Sequence, residues 1–160
     1  MRRIRKTIPG RLLLLFLAAG LVLSAAEVLP AYPVTASGTK GESNGADFTF
    51  TVSPTSATAE IGGSSASFLI TVTSQGGLEG TIHVAMSSVS PTFSKGLTFQ
   101  QIRYDLWISP TAPTKNTYIT FTAAKGAVAT TYTITITGKD ITGGCCYGLA
   151  HSAVVTLTVT

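Results

Sequence analysis

From Phe48 onward the chain keeps a two-residue rhythm, and this limits its fold more than any other feature. Phe48, Phe50 and Val52 alternate with Thr49 and Thr51, and Phe68, Ile70 and Val72 alternate with Leu69, Thr71 and Thr73. Tyr132, Ile134 and Ile136 alternate with Thr133, Thr135 and Thr137, and Ala153, Val155, Leu157 and Val159 close the series. Successive side chains of an extended strand point to opposite faces, so this spacing writes one apolar and one polar face on each segment. No window carries the 3.6-residue period of an amphipathic helix. Threonine fills the polar positions: 24 Thr lie between residues 37 and 160. Its branched Cβ suits an extended backbone, and its hydroxyl can face water repeatedly without building a sticky patch.

Between these segments stand Pro54, Gly62-Gly63, Gly76-Gly77 and the Pro110 to Pro113 turn. Ala57 to Ile61 reads as a short edge piece, Ile82, Val84 and Met86 as the inward set of the next strand, and Ile119 and Phe121 as a strand after the proline turn. Such spacing predicts an all-β, immunoglobulin-like antiparallel β-sandwich of seven to nine strands, with one wet face on each sheet. A parallel sheet would need crossover helices, and no helical pattern supplies them. The middle breaks phase. Leu97 and Phe99 alternate in one register, while Ile102, Tyr104, Leu106 and Ile108 alternate in the other and are expected to face the core. A bulge or a strand that changes sheets would produce that slip between Gln100 and Gln101.

The first residues follow a different plan. Arg2, Arg3, Arg5 and Lys6 precede Arg11 and the apolar run Leu12 to Leu23, which is short for a membrane span and is followed by small residues. Residues 1–26 therefore read as a signal-peptide helix, with Ser24-Ala25-Ala26 as the cleavage site and Val34-Thr35-Ala36 as a later one; an uncleaved anchor is the alternative, and the only route to a membrane. Residues 27–46 read as a flexible tether, and 47–160 as the folded domain. Five of the eleven basic residues belong to the leader. From Ser37 on, six basic side chains balance six acidic ones, so the clustered charge that nucleic-acid binding uses is missing. The expected address is secreted or cell-surface.

Phe48-Thr49-Phe50-Thr51-Val52-Ser53-Pro54, Ala66 to Ser74 with Gly76-Gly77 and Gly80-Thr81-Ile82, Thr131 to Gly138, and His151 to Val159 carry a resemblance. They look like the Thr-rich immunoglobulin-like repeat domains of archaeal and bacterial secreted or surface proteins. The resemblance implies a non-catalytic interaction or scaffold module, a spacer or an adhesive unit, with a protein or glycan at the cell surface as partner and no cofactor. This chain departs from the pattern at Ser90 to Ser109 and at the insertion Asp140 to Ala150 in the last hairpin.

Candidate chemistry is sparse. Gly41-Glu42-Ser43-Asn44-Gly45 matches G-x-S-x-G, but a nucleophile elbow needs a strand before the serine and a helix after it, and this copy lies in the tether. His83 and His151 read as surface residues, the acids are scattered singly, and a hydrolase is the least favoured reading. No metal set has a known spacing; Cys145 and Cys146 with His151 lack further ligands. The two adjacent cysteines leave a vicinal disulfide, free thiols and an intermolecular bridge open, in that order. Trp107 with Tyr118, flanked by Arg103 and Asp105, forms the candidate ligand surface: two aromatics side by side on a wet face could stack on a sugar or anchor a protein. This makes a carbohydrate-binding module the alternative function. The plainer reading tucks Trp107 under a loop or over a sheet edge. Tyr132 reads as structural, a buried tyrosine bonded to backbone at a strand corner.

Overall fold

The computed structural model describes residues 45–142 and 147–160 together with the backbone of 34–35. The signal-peptide helix, most of the tether, Ser43 and the Cys145-Cys146 pair lie outside the described residues. Within them the protein is all-β and immunoglobulin-like. Ten strands run in chain order: β1 Val34–Thr35, β2 Asp47–Ser53, β3 Ser56–Ala59, β4 Ala66–Gln75, β5 Gly80–Ser90, β6 Leu97–Gln101, β7 Asp105–Ile108, β8 Thr114–Ala123, β9 Thr130–Asp140 and β10 Ala150–Val159. Nine of them belong to the expected 47–160 domain, and β1 comes from the stretch read as tether.

Two five-stranded sheets face each other, with orders β1-β2-β4-β8-β6 and β3-β10-β9-β5-β7. All pairs are antiparallel except β3 with β10, where Ser56 to Ala59 run parallel to Thr156 to Val159. That exception arises because the chain leaves the first sheet at Pro54 and continues along the edge of the second. β10 is thereby held between β3 and β9.

The core is the apolar half of the two-residue rhythm. Phe48, Phe50 and Val52, Phe68, Ile70 and Val72, Ile119 and Phe121 meet Ile82 and Val84, Tyr132, Ile134 and Ile136, and Val155, Leu157 and Val159 across the interior. On the outer faces hydroxyls pair across neighbouring strands: Ser67 with Thr120 at 2.8 Å, Thr73 with Thr114 at 3.1 Å, and Thr137 with Ser152 at 2.7 Å. Cross-strand pairs of this kind add modestly to sheet stability, so the polar rhythm contributes to cohesion as well as to solubility.

Two sequence expectations are corrected. Ile102 and Tyr104 do not face the core: they are 66% and 48% exposed, while Gln101 is buried. The chain here crosses from β6 in one sheet to β7 in the other, and the side chain aimed inward at the crossing is the amide of Gln101. Its Nε2 donates to the carbonyls of Val84 at 2.9 Å and Arg103 at 2.8 Å, so the Val84 carbonyl keeps a partner just past the end of the β5–β7 ladder. His151, expected at the surface, is buried. Its Nε2 lies 2.7 Å from Asp47 Oδ1, which also accepts the Phe48 N–H, and its ring packs edge-on to Phe48 at 4.6 Å. A polar tie thus joins the start of β2 to the start of β10 across the two sheets.

Candidate functional site

The crossing that displaces Ile102 and Tyr104 also helps to build a cleft at the edge of the sandwich. Thr117, buried in β8, clamps the peptide of Arg103: its hydroxyl donates to the Arg103 carbonyl at 3.0 Å, and the Arg103 N–H lies 3.2 Å from the same oxygen. With Gln101 donating to that carbonyl too, the backbone of Arg103 is fixed from below and its side chain is left at the surface.

Next comes β7, four residues long. Leu106 and Ile108 enter the core and pin the strand to Ile82 and Gly80 of β5, which turns Asp105 and Trp107 outward. Asp105 stands opposite His83, and its Oδ1 lies 2.7 Å from His83 Nδ1; a carboxylate can only accept, so that nitrogen carries the proton. Tyr104 stacks beside the His83 ring, with centroids 6.3 Å apart and planes at 20°. Trp107 stands opposite Thr81 and is 50% exposed.

A tight connection then brings the start of β8 alongside. Ser109 and Ala112 exchange backbone hydrogen bonds, and Ser109 Oγ also accepts the Ala112 N–H at 3.2 Å. The chain therefore returns to the other sheet within a few residues. Between β7 and the first residues of β8 lies a cleft of about 280 Å³, lined by Arg103, Asp105, Leu106, Trp107, Lys115 and Asn116. Among the described residues the side chains of Arg103, Lys115 and Asn116 make no hydrogen bond or ion pair.

Of the sequence-predicted site residues, the structure brings Trp107, Arg103 and Asp105 into one cleft. Tyr118 is not with them. It is 44% exposed, but it belongs to β8 opposite Leu69, on the outer face of the other sheet. The expected side-by-side pair of Trp107 and Tyr118 is therefore corrected: two strands joined by a short turn were read as neighbours in one sheet, whereas the turn carries the chain across the sandwich. Lys115 and Asn116 were missed by the sequence reading. The clue available was the same Pro110 to Pro113 turn, which fixes how near the first residues after it come to β7.

Tyr132 is fully buried, its hydroxyl accepts the Ser94 N–H at 3.2 Å, and it lies 2.9 Å from Ser94 Oγ, which it can donate to. It joins Phe93, Phe99 and Phe121 in an aromatic cluster whose adjacent rings lie 5.4 to 6.1 Å apart. The Cys145 and Cys146 pairing lies outside the described residues.

No protein-family model and no curated protein matches the chain. Solved structures similar to it include WR4, a C. elegans MSP family member, at 10% identity and a TM-score of 0.44, covering 69% of this chain and 97% of that one. The ASH/PapD-like domain of human CEP192 is 13% identical with a TM-score of 0.46, covering 76% and 88%. The CARDB domain of the PF1109 protein from Pyrococcus furiosus, solved in complex with di-metal ions, is 12% identical with a TM-score of 0.40, covering 81% and 94%.

Proposed function

We propose that this chain is a non-catalytic interaction module that works outside the cytoplasm, secreted or displayed on the cell surface, as the Thr-rich immunoglobulin-like repeats it resembles do. One observation carries the reading. On a scaffold whose buried side-chain polar atoms all have partners among the described residues, a cleft at the β7 edge gathers Trp107, Arg103, Lys115 and Asn116, the last three with no side-chain partner among the described residues. Exposed aromatic and cationic groups held on rigid strands are the usual anchors of recognition surfaces. The leader read from residues 1–26 supports the address. His83 and Asp105 are accounted for by each other and by Tyr104, and this favours a structural use of the pair over a hydrolytic one.

A second reading, a carbohydrate-binding module, is favoured by the position of Trp107 beside polar groups in a cleft rather than on an apolar patch. Fractionation of producing cells with intact-mass measurement tests the address: the expected mass starts at residue 27 or 37. A full-length chain in the cytosolic fraction overturns it. Sedimentation of the purified chain with isolated cell envelopes tests the role, and retention that is lost on Trp107→Ala is expected.

A further inference from the structure

The contents of the β7 cleft define what it would bind more narrowly than the general reading does. Trp107 offers a half-exposed indole face, and Leu106 forms apolar wall beside it. Arg103 and Lys115 offer charged donors, and Asn116 both a donor and an acceptor. Asp105 offers an acceptor, because His83 occupies Oδ1 and Oδ2 keeps its lone pairs. Two cations therefore stand against one carboxylate that already has a partner, in a chain that is formally neutral from residue 37 on.

Each element selects a ligand property. A bare inorganic anion has no face to lay on an indole. A neutral apolar ring leaves two desolvated cations without partners, which is costly. An apolar peptide side chain uses Trp107 but not the mixed donors and acceptors around it. A pyranose ring has an apolar C–H face for the indole and hydroxyls that donate to Asp105 and accept from Asn116. If it also carries an acid group, that group meets Arg103 and Lys115. The volume of about 280 Å³ lies at the lower end of small-molecule sites, the scale of a single sugar residue rather than a long segment.

We propose that the β7 cleft is a binding site for an anionic sugar residue, such as a uronic acid within a polysaccharide, with Trp107 as stacking platform and Arg103 and Lys115 as partners of the acid group. This rests on the interaction-module reading above and names its ligand class.

Trp107 is the sole tryptophan of the chain, so its fluorescence reports on this cleft directly. The exported chain is titrated with polygalacturonate and alginate as carboxylated polymers, dextran sulfate as a sulfated one without carboxylate, dextran as a neutral one and polyglutamate as an acidic peptide. A change in Trp107 emission with the carboxylated polymers, at affinity about tenfold above dextran and polyglutamate, is expected. Dextran sulfate separates the sources of charge: binding equal to that of the uronates assigns sulfate as well as carboxylate, and weaker binding assigns carboxylate alone, both upholding an anionic sugar as ligand.

Trp107→Ala, followed by calorimetry, is expected to weaken binding about thirtyfold, with Trp107→Phe restoring part of it. The double change Arg103→Gln and Lys115→Gln is expected to remove the preference for acidic over neutral polymer while Trp107 emission still responds. Tyr118→Ala, outside the cleft lining, is expected to leave binding intact. Equal circular dichroism and melting curves across the variants exclude unfolding as the cause. Polyglutamate binding as well as the uronates, binding that survives Trp107→Ala, or no polymer binding at all overturns the proposal. Envelope retention that depends on Trp107 would still uphold the broader reading in each of these cases.

Discussion

Gly138 lies directly beneath the ring of Phe50, and a Cβ built there would come within 2.7 Å of Phe50 Cδ2. Both positions are fully enclosed by the two sheets, so the ring has nowhere to retreat. Gly138→Ala should cost about 1–3 kcal/mol through overpacking, read as a lower urea midpoint at unchanged slope. Gln101 is the opposite case, a polar side chain that belongs inside. Gln101→Leu has nearly the same size and greater hydrophobicity, yet it leaves the Val84 carbonyl without its donor. We expect a loss of about 1–3 kcal/mol by urea unfolding, the cost of a buried carbonyl left unpaired. A hydropathy argument alone would give the opposite sign.

At the scale of strands, what the sequence disclosed depended on whether one rule was enough. β2, β4, β9 and β10 pack one face inward along their whole length, and their strict alternation located them and their core residues in advance. Between Leu97 and Ile108 a second rule intrudes. The chain has to change sheets, so the inward positions go to whatever satisfies the interrupted ladder, and Gln101 displaces Ile102. The return crossing at the Pro110 to Pro113 turn separates Trp107 in β7 from Tyr118 in β8, and nothing local to either residue encodes it. His151 was misplaced for a related reason: its partner Asp47 is 104 positions away in the chain. β7 is short and sits at an edge, with a partner on one side over Gly80 to His83. Its amides should exchange with deuterium well before those of β4 and β9, which are flanked on both sides; equal protection would contradict this order.

The whole molecule is closed by contacts between its ends. β10 fills the position between β3 and β9, and Asp47 holds His151 across the interior. Removing Ala150 to Val159 takes away the partner of both flanking strands, together with Val155, Leu157 and Val159 of the core. A chain cut after Leu149 should lose the far-ultraviolet signature of sheet and become open to protease along its length, not merely at the new end. Because its pairings join distant parts of the chain, the intact domain should also fold slowly for its size, on the order of milliseconds to seconds.

The late arrival of β10 sets a timetable. During synthesis from the N-terminal side, a slot stands open between β3 and β9 until Ala150 to Val159 emerge. Until then β3 and β9 each keep a row of backbone groups without the strand that pairs them, an edge open to other chains.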